Sequence, residues 1–249
     1  MSNVVPTQDK SAIRRTSESI HRAVERLRRL GIRKTLAWAR YQVRWRIQER
    51  ALGIKTNTNA YSFAYSDTGE NHGYEPVDYL CFEQVLDYLN PENHRRILVD
   101  YGSGMGRALV LAGLRPFHRI VGVEFSEVLC GICNRHLQQV GAKLQCTDIS
   151  LEQTDATKFE FPDDANAVFL YNSFRGRVLA SVLEHIRDSI ERKPRVIDFV
   201  YVYPKVAENP IDNVAWLEKK SELPTGFYTH VNSFVYQNKK IDSVLRSKP

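Results

Sequence analysis

Ile97-Leu98-Val99-Asp100-Tyr101-Gly102-Ser103-Gly104-Met105-Gly106 is an apolar run that ends in a carboxylate and three alternating glycines. Ile97, Leu98 and Val99 suit a strand covered on both faces. Gly102, Gly104 and Gly106 allow positive φ and a close approach of backbone that a Cβ would obstruct. Apolar residues return at Ala108, Leu109, Leu111, Ala112 and Leu114, close to helical spacing. The stretch therefore predicts a strand, a tight loop and a helix N-terminus whose free N–H groups can face a ligand.

The spacing separates two kinds of cofactor loop. A dinucleotide fingerprint places its third glycine three residues after the second, and here that residue is Arg107. A second apolar strand, Ile120-Val121-Gly122-Val123, ends at Glu124, 22 residues after Gly102. An acid at about that distance lies at the tip of the next strand of a βαβ unit and can hold ribose hydroxyls, although a solvated cap on the helix over 126–140 is the alternative. A third segment, 149–153, leads to Asp155-Ala156; Asp148 competes with Asp155 but precedes the apolar residues Ile149 and Leu151. Ala167-Val168-Phe169-Leu170-Tyr171 then predicts a buried strand ending in Asn172-Ser173-Phe174. Four strand tips in chain order carry Asp100, Glu124, Asp155 and Asn172, and in an open α/β sheet such tips converge on one crevice.

This ordered set resembles the class I S-adenosylmethionine (SAM)-dependent methyltransferases, in particular bacterial members of unassigned substrate. It is similar, more weakly, to the class I protein-lysine methyltransferases that act on histones. The resemblance implies an α/β, Rossmann-like, doubly wound sheet of seven mostly parallel strands, with SAM as cofactor. It implies that Gly102, Gly104 and Gly106, with Asp100, Tyr101 and Ser103, border the methionine end of SAM. Glu124 would bind ribose beside Phe125, and Asp155 would meet adenine beside Ala156. Asn172 would face the reacting sulfonium, with Phe174 and Tyr74 as further catalytic candidates. Amine methyltransferases of the Asn-Pro-Pro-Tyr/Phe type carry prolines after the Asn, whereas here Ser173 alone separates Asn172 from Phe174. The acceptor therefore stays open between protein or peptide and small molecule, and between N and O. A non-catalytic SAM-binding scaffold and a Rossmann oxidoreductase are the competing readings.

Composition agrees with a globular enzyme: 249 residues, 43% hydrophobic and 26% charged. No apolar run approaches the ~20 residues of a membrane span, and no signal-peptide core is seen, so a cytoplasmic location is expected. Cys81, Cys130, Cys133 and Cys146 do not make a small disulfide framework. Cys130, Cys133 and His136 have helical spacing but no further ligands in view, so buried thiols are expected rather than a metal or redox site.

Charge is uneven. Residues 1–56 hold 14 Lys and Arg against 4 Asp and Glu, a balance of +10, while the remainder holds 21 against 25, or −4. The chain accordingly divides into a basic amphipathic helical extension (1–56), a polar linker or lid (57–76) and a catalytic domain (77–249). The extension reads as two helices. Ile13, Ile20, Val24, Leu27 and Leu30 stripe the first, which Gly31 stops. Leu36, Ala39, Val43 and Ile47 stripe the second, beside an aromatic row of Trp38, Tyr41 and Trp45. Three roles stay open: covering a sheet edge, lying on an anionic membrane surface with the protein peripheral there, or meeting an acidic partner. No signature of sequence-specific nucleic-acid binding is present.

The linker offers Tyr61, Tyr65 and Tyr74 as lid residues. A helix is expected over 77–89, another over 179–191, a fifth strand over 196–202, and an antiparallel pair near 215–223 and 234–237. His185 reads as a helix-surface residue, and His230 is a distant candidate for a base.

Overall fold

β1 (Ile97–Tyr101) is buried along its whole length and pairs in parallel with β2 (Arg119–Glu124) on one side and β4 (Ala167–Tyr171) on the other. Around it the computed structural model, which describes residues 9–56, 73–89, 95–204, 209–227 and 231–239, builds a seven-stranded sheet in the order β3-β2-β1-β4-β5-β7-β6. β3 (Ile149–Gln153) and β5 (Asp198–Pro204) continue the parallel run. β7 (Val231–Asn238) then inserts antiparallel between β5 and β6 (Leu217–Glu222). The expected Rossmann-like, mostly parallel sheet is thus the observed one.

Two layers of helix cover it. Ile97, Val99 and Tyr101 pack on the side of α5 (Gly176–Arg192), whose Leu179, Val182, Leu183, Ile186 and Ile190 are buried in the same cluster. The alternate residues face α2 (Tyr79–Leu89) and α3 (Arg107–Gly113), as the period of two requires. There the Phe82 ring meets Phe169 at 4.7 Å between centroids. Gly122 lets α3 close on β2, since a Cβ there would meet Leu109 Cδ1 at 2.5 Å. α4 (Glu127–Val140) follows β2 and buries Leu129, Cys130, Cys133, His136 and Val140.

Polar ties hold the end of the sheet opposite the strand tips. Asn166 Oδ1 accepts from Ile97 N at 3.1 Å while its amide donates to the Arg95 carbonyl at 2.9 Å. Arg96 Nη1 lies 2.7 Å from Asp198 Oδ2, a pair whose carboxylate side chain is 4% exposed.

Element boundaries shift by a few residues from expectation. β5 starts at Asp198 because Val196, expected inside it, stands 55% exposed ahead of the pairing. α2 starts at Tyr79 because Asp78 Oδ1 accepts from the amides of Leu80 and Cys81, an Asx-type start. His185 is half-buried rather than on the helix surface, with Nδ1 at 2.9 Å from the Phe159 carbonyl.

The chain divides into two units, 1–49 and 50–249. The first is formed by α1 (Asp9–Leu52), in which Gly31, at φ 75 and ψ 167, separates the two expected helices. In the second of these the aliphatic stripe is the exposed face, a point the sequence left open. Leu36, Val43 and Ile47 are 54–64% exposed, whereas Trp45 on the aromatic row is 4% exposed, its ring edge-on to Tyr41 at 6.3 Å. Side chains of Ile13, Ile20 and Leu30 lie outside the described residues, as do Tyr61, Tyr65 and His230.

Candidate functional site

The strand order reverses between β1 and β4, which is where a doubly wound sheet opens a crevice beyond its carboxyl edge. A cavity of about 290 Å³ lies there. Its wall includes Gly102, Gly104, Glu124, Phe125, Asp155, Ala156, Asn172, Phe174 and Tyr74. Of the four expected tip residues, Glu124, Asp155 and Asn172 meet there, and the glycine loop stands in for Asp100. Asp100, Tyr101, Ser103 and Gly106 do not reach the wall. They form the layer behind it, because strand alternation turns Tyr101 into the α5-side core, where Phe174 lies edge-on at 6.2 Å. Burial pushes the Tyr101 phenol up from its ordinary value.

All three loop glycines have positive φ: 76° at Gly102, 56° at Gly104 and 81° at Gly106. Each also touches a side chain at the place a Cβ would fill: Ser173 at Gly102, Tyr74 at Gly104 and Cys133 at Gly106. The amides, in contrast, are not left open for a ligand. Gly102 N and Ser103 N both donate to the Val123 carbonyl, at 2.8 and 3.1 Å, and Gly106 N donates to the Ser103 carbonyl at 2.9 Å. Gly104 N donates to Glu124 Oε2 at 2.9 Å. The glycine amides are thus held by β2 and within the loop itself.

Glu124 is 5% exposed, and its other oxygen accepts from Ser126 N at 2.9 Å. Burial raises its pKa, while the amides of Ser126, Gly104 and Phe125 pull it back by favouring the anion. Each carboxylate oxygen still has lone-pair capacity toward the cavity. Behind it Asp100 is 3% exposed, and Oδ2 has no hydrogen-bond partner among the described residues. Burial, reinforced by the Glu124 charge, pushes the Asp100 carboxyl up to about 8. The folded chain therefore holds a proton that the unfolded chain, with an ordinary value of 3.8, releases. The contribution of this group to stability is full below about pH 4 and is lost as pH rises toward 8. Asp100→Asn removes the titrating group, so thermal melts across this range are expected to show a flatter pH dependence than the parent, and an advantage for the variant that grows with pH. Parallel curves would contradict the assignment.

Asp155 Oδ1 accepts from Thr157 N at 2.9 Å and from Thr157 Oγ1 at 2.8 Å, which fixes the carboxylate at the rim. Asn172 is the one non-glycine residue with positive φ among the described residues, at 43°, and its N–H donates to the Val202 carbonyl at 2.9 Å. Asn tolerates this region better than most residues. A strained conformation at a cavity wall is a common mark of a working site.

Sequence reasoning missed several contributors. Ser173 Oγ donates to the Tyr101 carbonyl at 2.9 Å and lies against Gly102, tying the β4 tip to the glycine loop. Thr154, Leu129 and Val178 also line the cavity, but they carry no motif. Arg107 served only to exclude a dinucleotide loop, yet it is 6% exposed and organises the approach to α2. Its Nε donates to Thr56 Oγ1 and its Nη1 to the Val77 carbonyl, both at 2.7 Å, with the guanidinium 4.2 Å from the Tyr79 ring centroid. The Thr56 carbonyl in turn accepts from the Tyr74 hydroxyl at 2.8 Å. Arg107→Ala is expected to cost about 3 kcal/mol in chemical denaturation, and Arg107→Lys to recover little of it, since an ammonium lacks the fork. Equal stability of parent and Arg107→Lys would contradict the bidentate role.

The expected thiols are buried. Desolvation pushes Cys130 up to about 11 and raises Cys133 further, so neither is a thiolate at neutral pH. His136 Nδ1 lies 2.9 Å from the Met105 carbonyl and Nε2 accepts from Lys55 N at 3.3 Å, so this histidine supports the loop from behind.

No protein-family model matches the chain, and no curated protein matches it in sequence. Solved structures do match in fold. A proposed methyltransferase of Escherichia coli, yhhF, is 16% identical, with 68% of this chain and 94% of that chain covered and a TM-score of 0.51. Magnesium protoporphyrin IX methyltransferase of Synechocystis PCC 6803 with bound SAM is 14% identical, with 67% and 87% covered and a TM-score of 0.50. The same enzyme with bound S-adenosylhomocysteine is 12% identical, with 67% and 90% covered and a TM-score of 0.50. At these identities the likeness is one of fold: the sheet and its covering helices are built as in those proteins.

Proposed function

We propose that the chain is a SAM-dependent methyltransferase that passes a methyl group to a nitrogen or oxygen acceptor on a protein, a peptide or a small molecule. The observation that carries this reading is the convergence of Gly102, Gly104, Glu124, Asp155 and Asn172 on one cavity at the reversal of strand order. The fold it shares with the Synechocystis enzyme, which was solved with SAM and with S-adenosylhomocysteine, supports it.

The donor set fits this cofactor. Glu124, a carboxylate with both oxygens fixed, matches a pair of vicinal hydroxyls, and Asp155 at the rim matches an exocyclic amine. Gly102 and Gly104 contribute backbone alone to the wall on the β1 side. SAM, when bound, supplies an activated methyl, so the protein has to supply position and an environment suited to a shrinking positive charge. Asn172 would orient the acceptor through a neutral amide that needs no ionisation, and Phe174 and Tyr74 would exclude water around it. Residues 77–249, with Tyr74 from the segment before them, would carry this chemistry.

Asn172→Gly keeps the positive φ while deleting the side chain. It is expected to leave SAM affinity within a few-fold and to lower turnover about a hundredfold. The reading itself is tested by incubating the protein with SAM carrying a labelled methyl group, peptides and small-molecule amines and hydroxyl compounds, and following the label. Transfer to one acceptor class, reduced in Asn172→Gly, is expected. SAM binding without transfer to any of them would instead favour a scaffold that uses the cofactor as a signal.

A further inference from the structure

We propose that the second half of α1 is an amphipathic segment that lies on an anionic lipid bilayer surface. At 100° per residue, Ile32, Val43, Leu36 and Ile47 fall within a sector of about 60° of the helix. They are 67%, 54%, 56% and 64% exposed, values that single residues of this size seldom reach together on one face. Arg40, Arg33 and Arg44 follow on one flank of that sector and Arg46 on the other, and all four are exposed. The tryptophans of the aromatic row are on the opposite face, where Trp45 is 4% exposed. The lipid-facing surface is thus aliphatic with arginine edges.

Charge decides between occupants. From Gly31 to Gln48 the helix holds Arg33, Lys34, Arg40, Arg44 and Arg46 and no acidic residue. A second copy laid stripe to stripe would bring Arg40 and Arg44 against arginines of its partner, a like-charge arrangement. A bilayer interface instead takes the aliphatic stripe into the acyl boundary while the arginine stems extend along it and their guanidinium groups reach phosphates. Among the described residues no helix is long and apolar enough to cross a membrane.

The test uses the full chain in vesicle flotation, with phosphatidylcholine alone and with about one third phosphatidylglycerol. Two double variants change only exposed positions: Leu36→Gln/Ile47→Gln removes the stripe, and Arg40→Gln/Arg44→Gln removes one charged edge. Binding to the anionic vesicles is expected to exceed binding to neutral ones by tenfold or more, and each double variant is expected to lose at least tenfold, with circular dichroism unchanged. The proposal is overturned by equal or absent binding to the two vesicle types, or by stripe variants that bind like the parent. It is equally overturned if sedimentation shows a dimer that Leu36→Gln/Ile47→Gln converts to monomer, which would assign the stripe to a second copy.

Discussion

Glu124→Ala is expected to lower SAM affinity about a hundredfold and to destabilise the chain by about 2 kcal/mol at the same time. The two effects have separate causes. The carboxylate is the acceptor for the amides of Gly104 and Ser126, so its removal leaves two buried N–H groups without their partner. Each costs on the order of 1–3 kcal/mol, partly offset because a desolvated carboxyl is also removed. The affinity loss comes from the cavity side of the same oxygens. Asn166→Ala separates the two: it breaks the ties to Ile97 and Arg95 at the far end of the sheet and touches nothing in the cavity. A similar loss of stability with retained affinity is expected there. If both variants lost affinity in proportion to stability, Glu124 would be a loop support and not a ligand contact.

Gly104→Val should be the more disruptive change in the glycine loop. A side chain at φ 56 is strained in itself, and β-branching adds to it. The new Cβ would also overlap the Tyr74 ring, which lines the cavity and is held by its bond to the Thr56 carbonyl. Together these are expected to cost about 3 kcal/mol and to lower SAM affinity more than tenfold. Adding Tyr74→Ala to Gly104→Val should relieve the overlap but not the backbone strain, recovering about half of the stability in denaturant titration. Full recovery would place the whole effect in the ring, and none would place it in the backbone.

The parts of the fold that local pattern determines were legible in the sequence. β1, β2 and β4 are short apolar runs ended by turn residues, and buried parallel strands look like that wherever they occur. The tips that follow them converge because the topology leaves one crevice, so Glu124, Asp155 and Asn172 could be placed together without any contact being known. What escaped the sequence depends on partners far along the chain. The amides of Gly102, Ser103 and Gly104 are satisfied by the Val123 carbonyl and the Glu124 carboxylate, about 20 residues on, and no spacing rule reveals that. Arg107 is bound to Thr56 and Val77, residues whose proximity exists only in the folded chain. The second half of α1 carries both an aliphatic and an aromatic sector, and amphipathicity alone does not say which is buried. The structure buries Trp45 and exposes Ile47.

Whether the cavity is a SAM site is decided most directly by calorimetric titration of the purified chain with SAM, S-adenosylhomocysteine and NAD. Both sulfur ligands are expected to bind with roughly micromolar dissociation constants, weakened about a hundredfold in Glu124→Ala, and NAD is expected to give no heat. Binding of NAD, or of neither sulfur ligand to a chain whose melt shows it folded, would contradict the assignment.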